Sequence, residues 1–195
     1  KVIILEKMPR PGRKIMITGK GRCNFTNLKA WNEFSTHIHP KPNFLKPSFY
    51  NLDSARMMGF LEANGMESIV ERGDRVFPAS HLASDVVDAL VRAANASGAK
   101  IICNKEVSEI TSSTPSVMSS ESETPFTLKC TDGTTYTCRR LIICTGGLSY
   151  PKTGSTGDGY GWAESMGHTL KTLFPSLTAI VPKGYKDGKG HIDRS

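Results

Sequence analysis

Cysteine is scarce and unpatterned in this chain. The five residues (Cys23, Cys103, Cys130, Cys138 and Cys144) are odd in number, widely spaced and without a CxxC pair. That argues against a disulfide framework or zinc ribbon and for a reducing, cytoplasmic setting. Aromatic residues make up only 8%, and no RNP, KH or helix-turn-helix pattern occurs, which argues against nucleic acid as a partner. No apolar run approaches the ~18 residues of a membrane span; the longest, Val2–Leu5 and Leu141–Cys144, are strand-sized. Val2–Leu5 also meets Glu6 and Lys7 at once, too soon for a signal peptide. A G-x-G-x-x-G turn is missing. A Walker A loop fails too, with Lys14 where its first glycine belongs and Gly21 in place of its Ser/Thr.

What remains is a chain of 195 residues, 38% hydrophobic, long enough to bury a core without staples. The net charge of +7 is unevenly placed: residues 1–50 hold ten Lys/Arg against Glu6 and Glu33, and the other 145 residues sum to about −1. A basic, glycine-bearing segment suits an anionic partner, either nucleic acid or a phosphate-bearing cofactor.

Lys1–Leu5 reads as a buried parallel strand, and Glu6–Asn27 as a basic loop. A short helix is expected near Phe44–Leu52. A second, over Asp53–Asn64, is capped by Asp53 and stopped by Gly65. Ser68–Glu71 and Arg75–Phe77 read as short strands around Gly73-Asp74. The strongest helix signal is the row Leu82, Val86, Leu90, Ala94, flanked by Ala83, Val87 and Val91, with Ser80 or Ser84 as cap and Gly98 as stop. Strands follow at Lys100–Cys103 and Glu106–Thr111, then a polar loop from Ser112 to Pro125. Phe126–Cys130 and Tyr136–Cys138 flank the turn signal Asp132-Gly133. Arg139–Cys144 reads as a buried strand, and Tyr160–Met166 as a helix stopped by Gly167. Helix, glycine, strand is the order of α/β units.

Three constellations carry chemistry. Glu6 ends an apolar strand, where a carboxylate can accept hydrogen bonds from the hydroxyls of a ribose. Gly12–Asn24 combines glycines with Arg13, Lys14, Lys20 and Arg22, an anion cradle. In Cys144–Tyr160 an apolar strand runs into Gly146-Gly147 and three further glycines, more than a purely structural loop would need. His37 and His39 lack partners for a metal site; His81 reads as a surface residue, Cys23 as either a reactive thiol or a buried one. Ser149 lacks the context of a hydrolase nucleophile.

Taken together, Glu6-Lys7, Gly12-Arg13-Lys14, Thr18–Asn27, Arg75–Pro78, Ala83–Leu90 and Thr145–Tyr160 resemble the BaiN/aminoacetone-oxidase-like flavoproteins, FAD-dependent oxidoreductases, nearly throughout the chain. The resemblance implies an α/β fold: a partial Rossmann-like FAD-binding domain, mostly parallel sheet with helices, plus a small β-hairpin or meander. It places an incomplete FAD domain over 1–175 and the start of a substrate-side domain over 176–195. Family chains begin with a strand and G-x-G-x-x-G turn and continue into a substrate domain, so this sequence resembles an internal piece of a longer protein. Taken alone, it is expected to bind FAD weakly.

The cofactor-binding residues so implied are Glu6 on the adenosine ribose with Lys7 beside it, Arg13 and Lys14 along the cofactor, and Thr18, Gly19, Gly21, Arg22, Cys23 and Asn24 on the flavin side. Val107 would read adenine through its backbone; Thr145, Gly146 and Gly147 would pass close by, with Tyr150 facing the flavin region. No catalytic residue is assigned and no metal is expected. The substrate is a small molecule of unassigned identity, with NAD(P)H or O2 as candidate electron partners, and self-association stays open. The competing readings are a non-catalytic or truncated fragment that needs a partner segment and a basic nucleic-acid-binding module.

Overall fold

The computed structural model describes residues 1–112 and 126–175. The expected polar loop lies outside these apart from Ser112, as does all of 176–195, the expected start of a second domain. Among the described residues no helix is long and apolar enough to cross a membrane.

The architecture is mixed α/β around one parallel pair. Strand β1 (Ile3–Leu5) lies parallel to β5 (Lys100–Ile102), with Ile4 opposite Ile101. Between them run the basic segment, helices α1 (Arg13–Ile17), α2 (Trp31–Phe34), α3 (Lys46–Asn51), α4 (Ser54–Ala63) and α5 (Ala83–Ala96), and a small antiparallel sheet of order β2-β4-β3, made of Thr26–Asn27, Arg75–Pro78 and Ser68–Glu71. After β5 comes an antiparallel meander, β6 (Val107–Ser112), β7 (Phe126–Cys130) and β8 (Thr135–Cys138). Helix α6 (Asp158–Ser165) closes the described part.

Local sequence explains most elements. In α4 (Ser54–Ala63) the Asp53 carboxylate caps the start, accepting the Arg56 N–H at 2.8 Å. Arg92 closes the other end, donating to the carbonyls of Asn64 and Gly65. Gly73 and Asp74, both at positive φ, turn β3 into β4. Helix α5 (Ala83–Ala96) buries Ala83, Val86, Val87 and Ala89. Ala83, Val86 and Val87 lie on the expected apolar face, whereas Leu82, expected in its row, stands outside the helix and exposed. The Ser80 hydroxyl accepts the Leu82 N–H and pairs with Asp85, whereas Ser84 caps nothing. The core joins Leu61, Met66, Ala83, Val86 and Ala89 to Cys23.

Two expectations are corrected. Arg139–Cys144 is not a strand: it pairs with no described strand, and Ile142 is 84% exposed. A strand needs a partner for its N–H and C=O groups, and this run forms a ladder with none of the described strands. For the same reason β1 is not buried: Ile3 and Ile4 stay exposed, because β5 covers one edge and no further described strand pairs with β1. The third change concerns Glu6–Asn27, expected as a loop. It holds helix α1 (Arg13–Ile17) and β2. Gly12 begins α1 at φ 73°, where a Cβ would lie 2.8 Å from Val87 on α5, so only glycine permits this packing.

Candidate functional site

At the carboxyl ends of β1 and β5 the chain is tied off by backbone hydrogen bonds. The Glu6 N–H donates to the Ile102 carbonyl and the Lys105 N–H to that of Glu6, both at 2.9 Å. The Glu6 carboxylate turns back to accept the Met8 N–H at 2.8 Å through Oε1. Among the described residues Oε2 has no partner, so the carboxylate keeps acceptor capacity at the strand tip.

Lys7, next along, reaches the far glycine-rich segment. Its ammonium donates to Thr156 Oγ1 at 2.6 Å and Asp158 Oδ2 at 2.7 Å, across 149 and 151 residues of chain, and lies 3.6 Å from Glu106. Three acceptors match the three N–H donors of an ammonium, so here Lys7 acts as a clasp. Burial pushes the Asp158 carboxyl up, but the Lys7 and Thr156 hydrogen bonds outweigh it and hold it below its ordinary value. Lys14, on α1, adds a second tie by donating to the Ser149 carbonyl at 2.6 Å.

The segment so fastened folds tightly on itself. A Cβ on Gly146 would stand 2.8 Å from Ser155 Oγ, one on Gly157 2.6 Å from Leu148, and one on Gly159 2.6 Å from Thr145. A Cβ on Gly154 would strike Met8 at 2.8 Å. These glycines are therefore accounted for by the chain's own packing. Their number alone does not point to a ligand, contrary to the sequence expectation.

The second bend is a run of left-handed residues: Gly19, Lys20, Gly21 and Cys23 all have positive φ. It is closed by the Cys23 N–H to the Thr18 carbonyl at 3.1 Å, while the Thr18 hydroxyl returns to Ile15. The Arg22 guanidinium lies 4.4 Å above the Phe77 ring and bonds Glu71 at 2.8 Å. Asn24 donates its side-chain amide to the carbonyls of Thr26 and Val76. Cys23 faces the core, so its thiol does not line a cleft.

The glycine-rich segment and the strand tip come together, then, through Lys7, Lys14 and Met8, and α1 carries the chain on to the Thr18–Asn24 bend. Arg13 and Tyr150 share the wall of an open, largely apolar cleft of about 840 Å³ between α1, α5 and Tyr150–Thr153. Glu6, Val107 and the Thr18–Asn24 bend do not line it. Val107 opens β6 opposite Cys130, beside the Glu106 that faces Lys7.

Against known families, residues 1–182 match the HI0933-like protein Rossmann domain. The chain belongs to that family. Its members are FAD-dependent oxidoreductases. Among curated proteins, it is 29% identical over 182 residues to the ribosomal RNA dihydrouridine synthase of Escherichia coli, covering 93% of this chain and 42% of that protein. It is 29% identical over 189 residues to the 3-dehydro-bile acid delta(4,6)-reductase of Clostridium scindens, covering 97% and 43%. It is 27% identical over 186 residues to the ribosomal RNA dihydrouridine synthase of Haemophilus influenzae, covering 95% and 43%. The chain thus spans less than half the length of each of these relatives.

Several residues of this HI0933-like site carry no signal of their own in the sequence. Met8 supplies the N–H that holds Glu6, Ser155 is buried beneath Gly146, and Glu71 and Phe77 support Arg22. Ser155 and Phe77 are marked only by their place within the blocks Thr145–Tyr160 and Arg75–Pro78, and Met8 and Glu71 lie outside every block.

The clasp has a measurable cost of removal. Lys7→Met leaves Asp158, 29% exposed, without its ammonium. The loss is expected to be about 1–3 kcal/mol in urea unfolding. Because the folded carboxyl ionises below its unfolded value near 3.8, its contribution is complete above that pH and lost as pH falls below it. The gap between wild type and Asp158→Asn should accordingly close in acid and stay constant near neutrality.

Proposed function

We propose that this chain carries the adenosine end and part of the flavin end of an FAD site in a reductase. The observation that carries the reading is the meeting of Glu6, at the tip of a parallel strand, with the glycine-rich Thr145–Asp158 segment through Lys7 and Lys14. The residues fit the group: Glu6 retains a free carboxylate oxygen for ribose hydroxyls, and Arg13 stands in the cleft with no acid paired to it among the described residues. Arg13 would face the anionic part of FAD, Thr145, Gly146 and Gly147 would approach it by backbone, and Val107 would read adenine. Thr18, Gly19, Gly21, Arg22 and Asn24 would shape the flavin side. Lys7 acts by positioning.

When bound, FAD supplies the two-electron chemistry that side chains lack. The relatives' names describe hydrogen addition, to give dihydrouridine in RNA or a reduced bile acid, and reduction of an unsaturated substrate is the reading they favour. NAD(P)H is the electron source proposed, and a reducing cytoplasm the setting, in keeping with five free thiols.

The test is the visible absorption and fluorescence of flavin in the full-length protein containing this chain. Stoichiometric FAD is expected. Glu6→Ala should weaken its binding about tenfold or more, the worth of a hydrogen bond to a charged group. A protein that purifies without flavin and takes up none from solution overturns the reading.

A further inference from the structure

The segment between the second bend and α4 forms a unit of its own, outside the main core. Trp31 lies 5.3 Å from Phe49 and 6.2 Å from Tyr50, ring centre to ring centre, and Phe34 stacks on Phe49 at 5.2 Å. Trp31 is buried, and this cluster fixes α3 (Lys46–Asn51) against α2 (Trp31–Phe34). Arg56 locks the end of α3, donating to the carbonyls of Tyr50 at 2.7 Å and Asn51 at 2.9 Å. Tyr50 is therefore held by its neighbours while remaining 54% exposed, and Phe44 is 81% exposed. The Tyr50 ring, fixed in this way, loses little freedom when something stacks on it.

Along the chain from the end of α2 through α3 the charge has one sign. From Phe34 to Leu52 there is no Asp or Glu, while Lys41 and Lys46 flank Phe44 and His37 and His39 precede it. Among the described residues neither lysine enters an ion pair. Lys29, by contrast, is matched by Glu33 and Asp74.

We propose that this α2–α3 face docks single-stranded RNA, with Phe44 and Tyr50 as stacking platforms for bases and Lys41 and Lys46 set toward phosphates. An unpaired strand offers both a polyanion and exposed π-faces, which the combination of exposed rings and unmatched cations fits. A duplex hides its base faces, and an apolar protein partner has no use for the cations. The proposal deepens the reductase reading, because it selects RNA over a small sterol-like molecule as the substrate-bearing partner. It sets aside the argument from low aromatic content, since six of the fifteen aromatic residues fall between Phe25 and Tyr50.

The test uses the FAD-loaded full-length protein and a short, fluorescently labelled single-stranded RNA, with the matching RNA duplex and phosphatidylserine vesicles as comparators. The single strand should bind tightest. Phe44→Ala and Tyr50→Ala should each weaken it about 5- to 100-fold. Phe44→Leu, which keeps apolar surface and removes the π-face, should weaken it as well. Lys41→Gln with Lys46→Gln should reduce the slope of log affinity against log salt by about one. Flavin content, measured on the same samples, reports separately on the reductase reading. Retained RNA affinity in the variants, no binding of the single strand, or a preference for duplex or vesicles overturns the proposal.

Discussion

Phe77→Ala is expected to lower the free energy of unfolding by about 3–5 kcal/mol, a large share of the 5–15 kcal/mol typical of a folded domain. Phe77 is 1% exposed on β4, the middle strand of its sheet. Its removal leaves a cavity that neighbouring β2 and β3 can close only by distorting their pairing with β4. The same ring carries the Arg22 guanidinium at 4.4 Å, and the space over Gly19 is bounded by its edge, 3.4 Å from where a Cβ would be. The loss therefore reaches the Thr18–Asn24 bend, and FAD affinity should fall together with stability. Urea unfolding checks this as a drop in midpoint with little change in slope. Phe44→Ala is the control: that ring is 81% exposed, and its loss should change stability by no more than about 0.5 kcal/mol.

The contrast between these two phenylalanines shows what the sequence conveys about this molecule. Elements defined by local rules are legible: Asp53 as a cap, Gly73-Asp74 and Asp132-Gly133 as turns, and α5 from its apolar period, although Leu82 falls outside the helix. Strands whose partners lie in the same stretch of chain are legible, as with β3–β4 and β6–β7–β8, and so are the apolar runs of β1 and β5, although their pairing with each other is not. Leu141–Cys144 has the composition of a central strand, yet pairing depends on an edge supplied from elsewhere, which composition does not report. Charge roles are hidden for a similar reason. Lys14 and Arg22 look alike as cations of an anion cradle, and Lys7 reads as a neighbour of the cofactor, but the fold gives Lys7 to Asp158, Lys14 to a carbonyl and Arg22 to Glu71. Such distant pairings exist only once the sheet has brought residues 7 and 158 together.

The glycine-rich segment gives the other large effect. Gly146→Ala is expected to destabilise the protein by about 2–4 kcal/mol. Part comes from forcing a side chain into the left-handed region at φ 74°, worth about 1–2 kcal/mol. The rest comes from placing a methyl group 2.8 Å from Ser155 Oγ, in a site where Ser155 is itself buried. Gly147→Ala separates these causes: it is not at positive φ, and its Cβ would meet only the Tyr160 hydroxyl at 3.0 Å, the far end of a side chain that can swing aside. It should cost well under half as much. Adding Ser155→Ala to Gly146→Ala removes the contact with Oγ while leaving the strained φ, so it should recover the overpacking part alone. Because Lys14 lies 3.9 Å from the same Cβ position, the displaced segment pulls on the tie between α1 and Ser149. Flavin affinity should then fall further in Gly146→Ala than in Gly147→Ala, and recover partly in the double variant. Equal losses in the two single variants would mean that backbone conformation at this bend does not govern the cofactor site.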